Sequence, residues 1–362
     1  MLPYLKDTYG NASSVHAYGR KTKVAVEAAR AHVAALLNAD PSEIVFTSGG
    51  TEADNMAIHI GAGMAAKRGR PTLVSSKAEH QAVLQPLANI DSGARTRFMD
   101  VLPSGAIALD RLEVVLADDV GFVSLMHANN ETGVLNPIEH IASRTAEAGI
   151  LFHSDTVQSA GKLPLDVRST PIDFASLSAH KIHGPKGVGA LFVKAGLDVA
   201  PFMLGGAQER GRRGGTENVP AIVGFGEAAR LALEERTTRM DTWRQLRAEL
   251  AAQLTSQLPA AVLNGEGAET IPNIVSISLP HDSYPIDGEM LLMNLDLEGI
   301  AVSSGSACTA GSVEPSHVMR AIGHDAKTAK ATLRVSFDKD TTAEELHTFV
   351  RILANIVSRM MG

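Results

Sequence analysis

The chain has 362 residues, 44% of them apolar, with a formal net charge of −7 and a single cysteine. That length allows two domains or one large α/β domain with an appendage, and the apolar share supports a sizeable core. The acidic balance, with no long basic run, argues against a nucleic-acid partner; a lone cysteine excludes an intramolecular disulfide and any Cys-x-x-Cys metal knuckle.

The N-terminus, MLPYLKDTYGNASS, lacks the charged head, apolar stretch and small-residue cleavage site of a signal peptide. No apolar run approaches the roughly 20 residues of a membrane span, and a reducing, cytoplasmic setting is expected. Residues 20–38 are alanine-rich with helical periodicity. "EIVFTS" (43–48) predicts a short buried strand, followed by a helix over 52–67. "PTLVSS" (71–76) predicts a strand, then a short helix from His80. Strands follow at 95–101, 120–127, 149–155, 173–180 and 188–193, with helical stretches at 110–118 and 137–148. Continuous apolar strands alternating with helices predict an α/β fold: a mostly parallel sheet covered on both faces.

Residues 219–257 read as one long helix rich in Ala, Leu, Glu and Arg. An α+β stretch follows: strands at 273–279, 300–306 and 331–337, helices at 287–298, 315–322 and 342–360. The boundary is expected inside the long helix, near 235–240. This divides the chain into a large domain over 10–237 and a smaller domain of 1–9 plus 238–362.

"FTSGGTEADN" (46–55) runs from strand through Gly-Gly-Thr into a helix. Such a turn offers backbone amides and a helix N-terminus to an anion, with Thr51 adding a hydroxyl; it reads equally as an ordinary turn with Thr51 as N-cap. "SKAEHQAV" (76–83) sets His80 where strand gives way to helix, a place for stacking, proton transfer or plain capping. "MHANNETG" (126–133) ends a strand with amides at Asn129 and Asn130. "FHSDTVQSAGK" (152–162) ends another with Asp155 and Gln158, and "DFASLSAHKIHG" (173–184) ends a third with Ser178, His180 and Lys181. Ligands in open α/β sheets bind at the carboxyl ends of strands. A strand-end acid with a strand-end lysine is the pair pyridoxal phosphate (PLP) requires: the lysine forms a Schiff base, and the acid keeps the pyridine nitrogen protonated so the ring is an electron sink. Zinc at His180 and His183 is the weaker alternative, since they straddle a turn with no third ligand nearby.

"ERGRRGGTEN" (209–218) is a cationic, glycine-rich loop ending near Thr216, and reads alone as a solvated surface loop. "AVSSGSACTAGSVEPSHV" (301–318) sets Cys308 among small residues, which favours a reactive over a structural thiol. In "ATLRVSFD" (331–338), Arg334 lies mid-strand, suited to gripping a carboxylate or to a salt bridge.

Together "SAHKIHGPKGVGALFV", "FTSGGTEADN", "HANNETG", "HSDTVQSAGKLPLD", "RRGGTEN" and "VSSGSAC" resemble the PLP-dependent cysteine desulfurases of the NifS/IscS type, in the class V aminotransferase fold, over nearly the whole chain. The resemblance implies PLP fold type I and a conversion of L-cysteine to L-alanine. Lys181 would be the Schiff-base lysine and Asp155 the partner of the pyridine nitrogen. Gln158 and Asn130 would lie on the ring-hydroxyl side, and His80 would stack on the ring and assist proton transfer. Gly50, Thr51, Ser178 and His180 would bind the phosphate. Thr216 would reach the phosphate of a neighbouring subunit, making the active unit a homodimer. Arg334 would grip the substrate carboxylate, with Asn11 and His16 near the substrate. Cys308 would hold the sulfur as a persulfide for an acceptor such as an iron–sulfur scaffold or a thiolation factor. A selenocysteine lyase or another PLP lyase is the alternative within the same chemistry. This sequence departs from the family at Ala179, where glycine is common. It also starts beyond an N-terminal segment that relatives usually carry, so a truncated, non-catalytic subunit is a further alternative.

Overall fold

The computed structural model describes residues 1–90, 93–304 and 314–362. The chain divides into two compact units: residues 1–99, 110–127 and 137–236, and residues 100–109, 128–136 and 237–362. Residues 1–9, expected with the smaller domain, group with the first unit.

The first unit is built on a seven-stranded sheet of β1 (Ile44–Thr47), β2 (Thr72–Ser76), β3 (Arg95–Met99), β4 (Val120–Ser124), β5 (Leu151–Asp155), β6 (Phe174–Ser178) and β7 (Gly189–Val193), in the order β1-β7-β6-β5-β4-β2-β3. From β3 across to β6 neighbouring strands are parallel; β7 runs antiparallel to both β6 and β1. β1, β2 and β4 to β7 are buried throughout, as expected of continuous apolar strands covered on both faces.

The helix Gly50–Lys67 packs its Gly50, Ala53, Asp54, Ala57, Gly61 face inward. At Gly61 a Cβ would lie 2.1 Å from the Phe122 ring, so only glycine admits the helix this close to the sheet. Gly189 plays the matching part below: its Cβ would stand 2.6 Å from the backbone carbon of Gly49. The turn after β1 can therefore settle against β7.

The second unit has a four-stranded sheet of β8 (Val262–Asn264), β9 (Ile274–Ser278), β10 (Ser303–Ser304) and β11 (Thr332–Ser336), antiparallel throughout in the order β10-β11-β9-β8. The helix Ala343–Met361 starts in a capping box formed by Thr342 and Glu345. It buries Leu346, Phe349, Val350, Leu353, Ile356 and Val357, a spacing that makes one apolar stripe. Each such side chain contributes about 1.5–3 kcal/mol on burial.

Among the α-helices and strands of the described residues, the sequence reading missed three short ones: the helix Leu2–Lys6, β8 and the helix Ala326–Lys330. None is long enough to show periodicity. The strand expected over 300–306 is paired only at Ser303–Ser304 within the described residues, which stop at residue 304 there. Among the described residues no helix is long and apolar enough to cross a membrane.

Candidate active site

β5 and β6 pair in parallel with Asp155 opposite Ser176. β5 thus ends at Asp155, while β6 runs on to Ser178 and into a 3-10 turn, Ala179–Ile182, that carries His180 and Lys181. His183 closes that turn in the left-handed region, at φ 66. The strand ends therefore bring the acid and the lysine to one place. Asp155 is buried, and burial pushes its carboxyl above the usual range. The Val157 backbone N–H, donating to Oδ1 at 2.9 Å, and the charges of His80 and Lys181 pull it back.

His80 caps the helix Gln81–Ala88, its Nδ1 accepting the Ala82 N–H at 3.1 Å. That bond leaves the proton of the neutral ring on Nε2. The capping alternative is thus true of Nδ1, while the ring still lies within electrostatic reach of Asp155.

The Gly-Gly-Thr turn meets the same group of residues. Gly50 opens the helix Gly50–Lys67, and a Cβ there would lie 2.9 Å from Val157 Cγ2 and 3.5 Å from Ser178 Cβ. Its bare backbone and the helix N-terminus make a cradle for an anion. Ser178 Oγ hydrogen-bonds His180 Nδ1 at 2.9 Å beside it. Thr51 is exposed and, with His80, lines a cavity of about 480 Å³ between the helices Gly50–Lys67 and Gln81–Ala88.

The cationic loop before Thr216 is not merely solvated. Glu209 is buried and receives both guanidinium nitrogens of Arg30, at 2.7 and 2.9 Å, and the Phe46 backbone N–H at 2.8 Å. Arg213 closes a bidentate pair on Glu52, in the first turn of the Gly50–Lys67 helix. Thr216 itself is exposed and lines a cavity of about 460 Å³ with Asn11. Asn11 Oδ1 accepts the Ser13 N–H at 2.8 Å. His16 caps the helix Ala17–Ala35 through Nδ1, and the residues lining that cavity do not include it.

Asn130 and Arg334 belong to the second unit. Arg334, mid-strand in β11, donates from Nη1 to the Asn130 carbonyl at 3.0 Å. The side-chain oxygen of Asn130 is buried with no hydrogen bond. Glu131 is buried against Ser316 Oγ at 2.5 Å, and burial raises its carboxyl to about 7 despite the nearby charge of Arg334. Cys308 lies outside the described residues.

Besides Glu131, four groups escaped the sequence reading. Asp54 and Glu79 are fully buried acids, both held well above the usual carboxylate range, first by burial and then by the charge of Asp155. Asp54 Oδ1 stands 3.5 Å from His153 Nε2. His153, bonded to Ser124 and Ser176 at 2.8 and 2.9 Å, is kept neutral by burial, its pKa down to about 3. Lys162 is a buried amine. Asp54 falls among Gly50, Ala53, Ala57 and Gly61 on the inward stripe of its helix, which was the available signal; the other three stand in no such pattern.

The site fits PLP on this structure's own features. Gly50 supplies an anion cradle that a Cβ would fill, and Asp155 is a buried carboxylate that a cationic ring nitrogen would compensate. Lys181 is an amine within electrostatic reach of that carboxylate.

Comparison with known proteins agrees. The aminotransferase class-V family model matches residues 1–349. A cysteine desulfurase of Nostoc sp. is 43% identical over 99% of this chain and 89% of its own length. The cysteine desulfurase IscS of an Anaeromyxobacter species is 45% identical over 99% and 88%. A solved NifS-like protein superposes with a TM-score of 0.90 at 35% identity, over 99% of this chain and 94% of that one. By these matches and by the strand-end chemistry of its first unit, the chain belongs to the class V aminotransferase family, among its PLP-dependent cysteine desulfurases.

Proposed function

We propose that the chain binds PLP at Lys181, converts L-cysteine to L-alanine, and carries the released sulfur as a persulfide on Cys308. The observation that carries the reading is the buried acid Asp155 within electrostatic reach of Lys181 at the ends of adjacent parallel strands. When bound, PLP supplies an electron sink for the substrate's α-carbon. Lys181 would hold the cofactor through Nζ, and the same amine, when free, would take the substrate's α-proton. Asp155 keeps the ring nitrogen protonated. Gly50, Thr51, Ser178 and His180 take the phosphate, and Gln158 and Asn130 the ring hydroxyl. His80 covers the ring and presents Nε2–H. Arg334 receives the substrate carboxylate, supported by Asn11 and His16; Glu131, part-protonated near neutral pH, leaves the Arg334 charge free for that carboxylate.

The Cys308 thiolate attacks the substrate sulfur. The S–S bond forms, the C–S bond breaks with its electron pair kept on carbon, and protonation there yields alanine. Thr216 acts on the phosphate of a second copy, so the working unit is a homodimer. The persulfide passes to an acceptor protein, an iron–sulfur scaffold or a thiolation factor, in a cytoplasmic setting.

The test is the visible spectrum and alanine yield of the PLP-loaded chain beside Lys181→Ala and Asp155→Asn. Lys181→Ala is expected to lose the covalent absorbance band and all turnover. Asp155→Asn is expected to fold and lose activity by on the order of 10²-fold or more. Full turnover in either variant would sink the reading.

A further inference from the structure

Lys162 follows Gly161 at the end of the turn that Asp155 opens, and it is only 8% exposed. Lysine is almost never buried unless paired. Yet among the described residues Nζ meets no carboxylate: it donates to the Gln158 carbonyl at 2.9 Å and reaches the Gln158 Oε1 at 3.4 Å. Both acceptors belong to a single residue, one proposed to face the ring hydroxyl. Lys162 is also held close to Lys181. At Gly161, with φ 76, a Cβ would come within 3.0 Å of Ile182 Cγ2, so this turn packs directly on the turn that carries Lys181.

A turn staple alone does not need an amine. A buried charge facing only neutral acceptors is costly, and Gln, Ser or Thr would cap a carbonyl at lower cost. An ammonium differs from these in being donor-only: it can meet the Gln158 carboxamide at its oxygen alone, so that the –NH2 group is the end left to donate. It also sets a second positive charge beside Lys181. The charge acting on Lys162 is that of Lys181, and burial with that repulsion brings its amine down to about 7. The charged and titratable groups around Lys181 include Asp155 and His80 at the strand ends, His180 and Lys186 on its own turn and just after it, and Lys162 from the neighbouring turn.

We propose that Lys162 is a positioning residue of the cofactor site, fixing the Gln158 carboxamide with its donor toward the ring oxygen and opposing a second positive charge at Lys181. The inference rests on the PLP reading above. Both effects act in one direction. At and below about pH 7, where Lys162 carries its charge, removing it takes away a like charge; at any pH it frees the ring oxygen to support a proton at Lys181. The protonated, Lys181-bound form of the cofactor then persists to higher pH.

The experiment is a pH titration of the visible band of the PLP-loaded protein for wild type, Lys162→Met, Lys162→Gln, Gln158→Ala and the double variant Lys162→Met/Gln158→Ala. Lys162→Met is expected to raise the midpoint by about one pH unit, the size of a close like-charge effect, and to lower kcat more than it raises KM. Lys162→Gln keeps a donor without the charge, so it guards against misfolding of the Met variant and is expected to shift the midpoint the same way. Gln158→Ala is expected to move the midpoint less in the Lys162→Met background than in wild type, because the two residues act as a unit. A wild-type band with an unchanged midpoint in both Lys162 variants, or strict additivity with Gln158→Ala, would overturn the inference alone. A wild type with no Lys181-dependent band would overturn the PLP reading and this inference with it.

Discussion

At the scale of single residues, the site is a set of buried ionisable groups whose charges are set by their surroundings. Asp54, Glu79 and Asp155 are all buried acids, and each is pushed up by burial. Only Asp155 is drawn back by Lys181 and His80. Environment thus selects one of three chemically similar acids for the charged role. Glu131 offers a measurable case. Its carboxyl lies at about 7 in the folded chain, against roughly 4.3 when unfolded. The folded state therefore binds the extra proton between those values, and the stability this confers is complete below about pH 4 and lost as pH rises through 7. Glu131→Gln is expected to flatten that decline, worth on the order of a few kcal/mol, in urea unfolding followed from pH 4.5 to 7.5. An unchanged slope would remove Glu131 from the account. Lysine and acid at two strand ends were legible in sequence because motif and predicted strand coincide there. The burial of Glu79 and Lys162 was not, since it depends on which elements pack over them.

At the scale of elements, the helix Gly50–Lys67 has two glycines with different jobs. Gly61 admits the helix to the Phe122 ring, and Gly50 keeps the anion cradle open beside Val157 and Ser178. Gly61→Ala is expected to cost about 1–3 kcal/mol in stability through overpacking, with PLP affinity nearly unchanged in what folds. Gly50→Ala should do the reverse, weakening PLP by about tenfold, equivalent to ~1.4 kcal/mol, with a smaller loss of stability. Paired denaturation and PLP titration check this; equal effects of the two substitutions on PLP binding would contradict it. The long helix Val219–Gln257 was read to its observed ends because Ala, Leu, Glu and Arg run on without a breaker. The three-residue β8 and five-residue helix Ala326–Lys330 were missed, because segments that short owe their form to hydrogen bonds with neighbours: β8 pairs with β9, and Asp325 caps the small helix.

At the scale of the whole molecule, each unit carries its own set of the residues named in the proposal. The first holds Lys181, Asp155, His80, Gln158 and the phosphate cradle; the second holds Asn130, Glu131 and Arg334. Sequence made the α/β class and the strand-end motifs legible. The assignment of residues 1–9, 100–109 and 128–136 to units was not, because short returning segments carry no composition signal for the body they join. The central claim is that sulfur leaves cysteine through Cys308 with the electron sink supplied at Lys181. Its most direct measurement is the yield of alanine and sulfide when the purified, PLP-loaded chain is given L-cysteine and a reducing agent, with Cys308→Ala alongside. The account expects alanine and sulfide in equal amounts from the wild type, and a Cys308→Ala protein that keeps its visible band but forms neither. Equal alanine yields from the two proteins, or none from a wild type that holds PLP at Lys181, would contradict it.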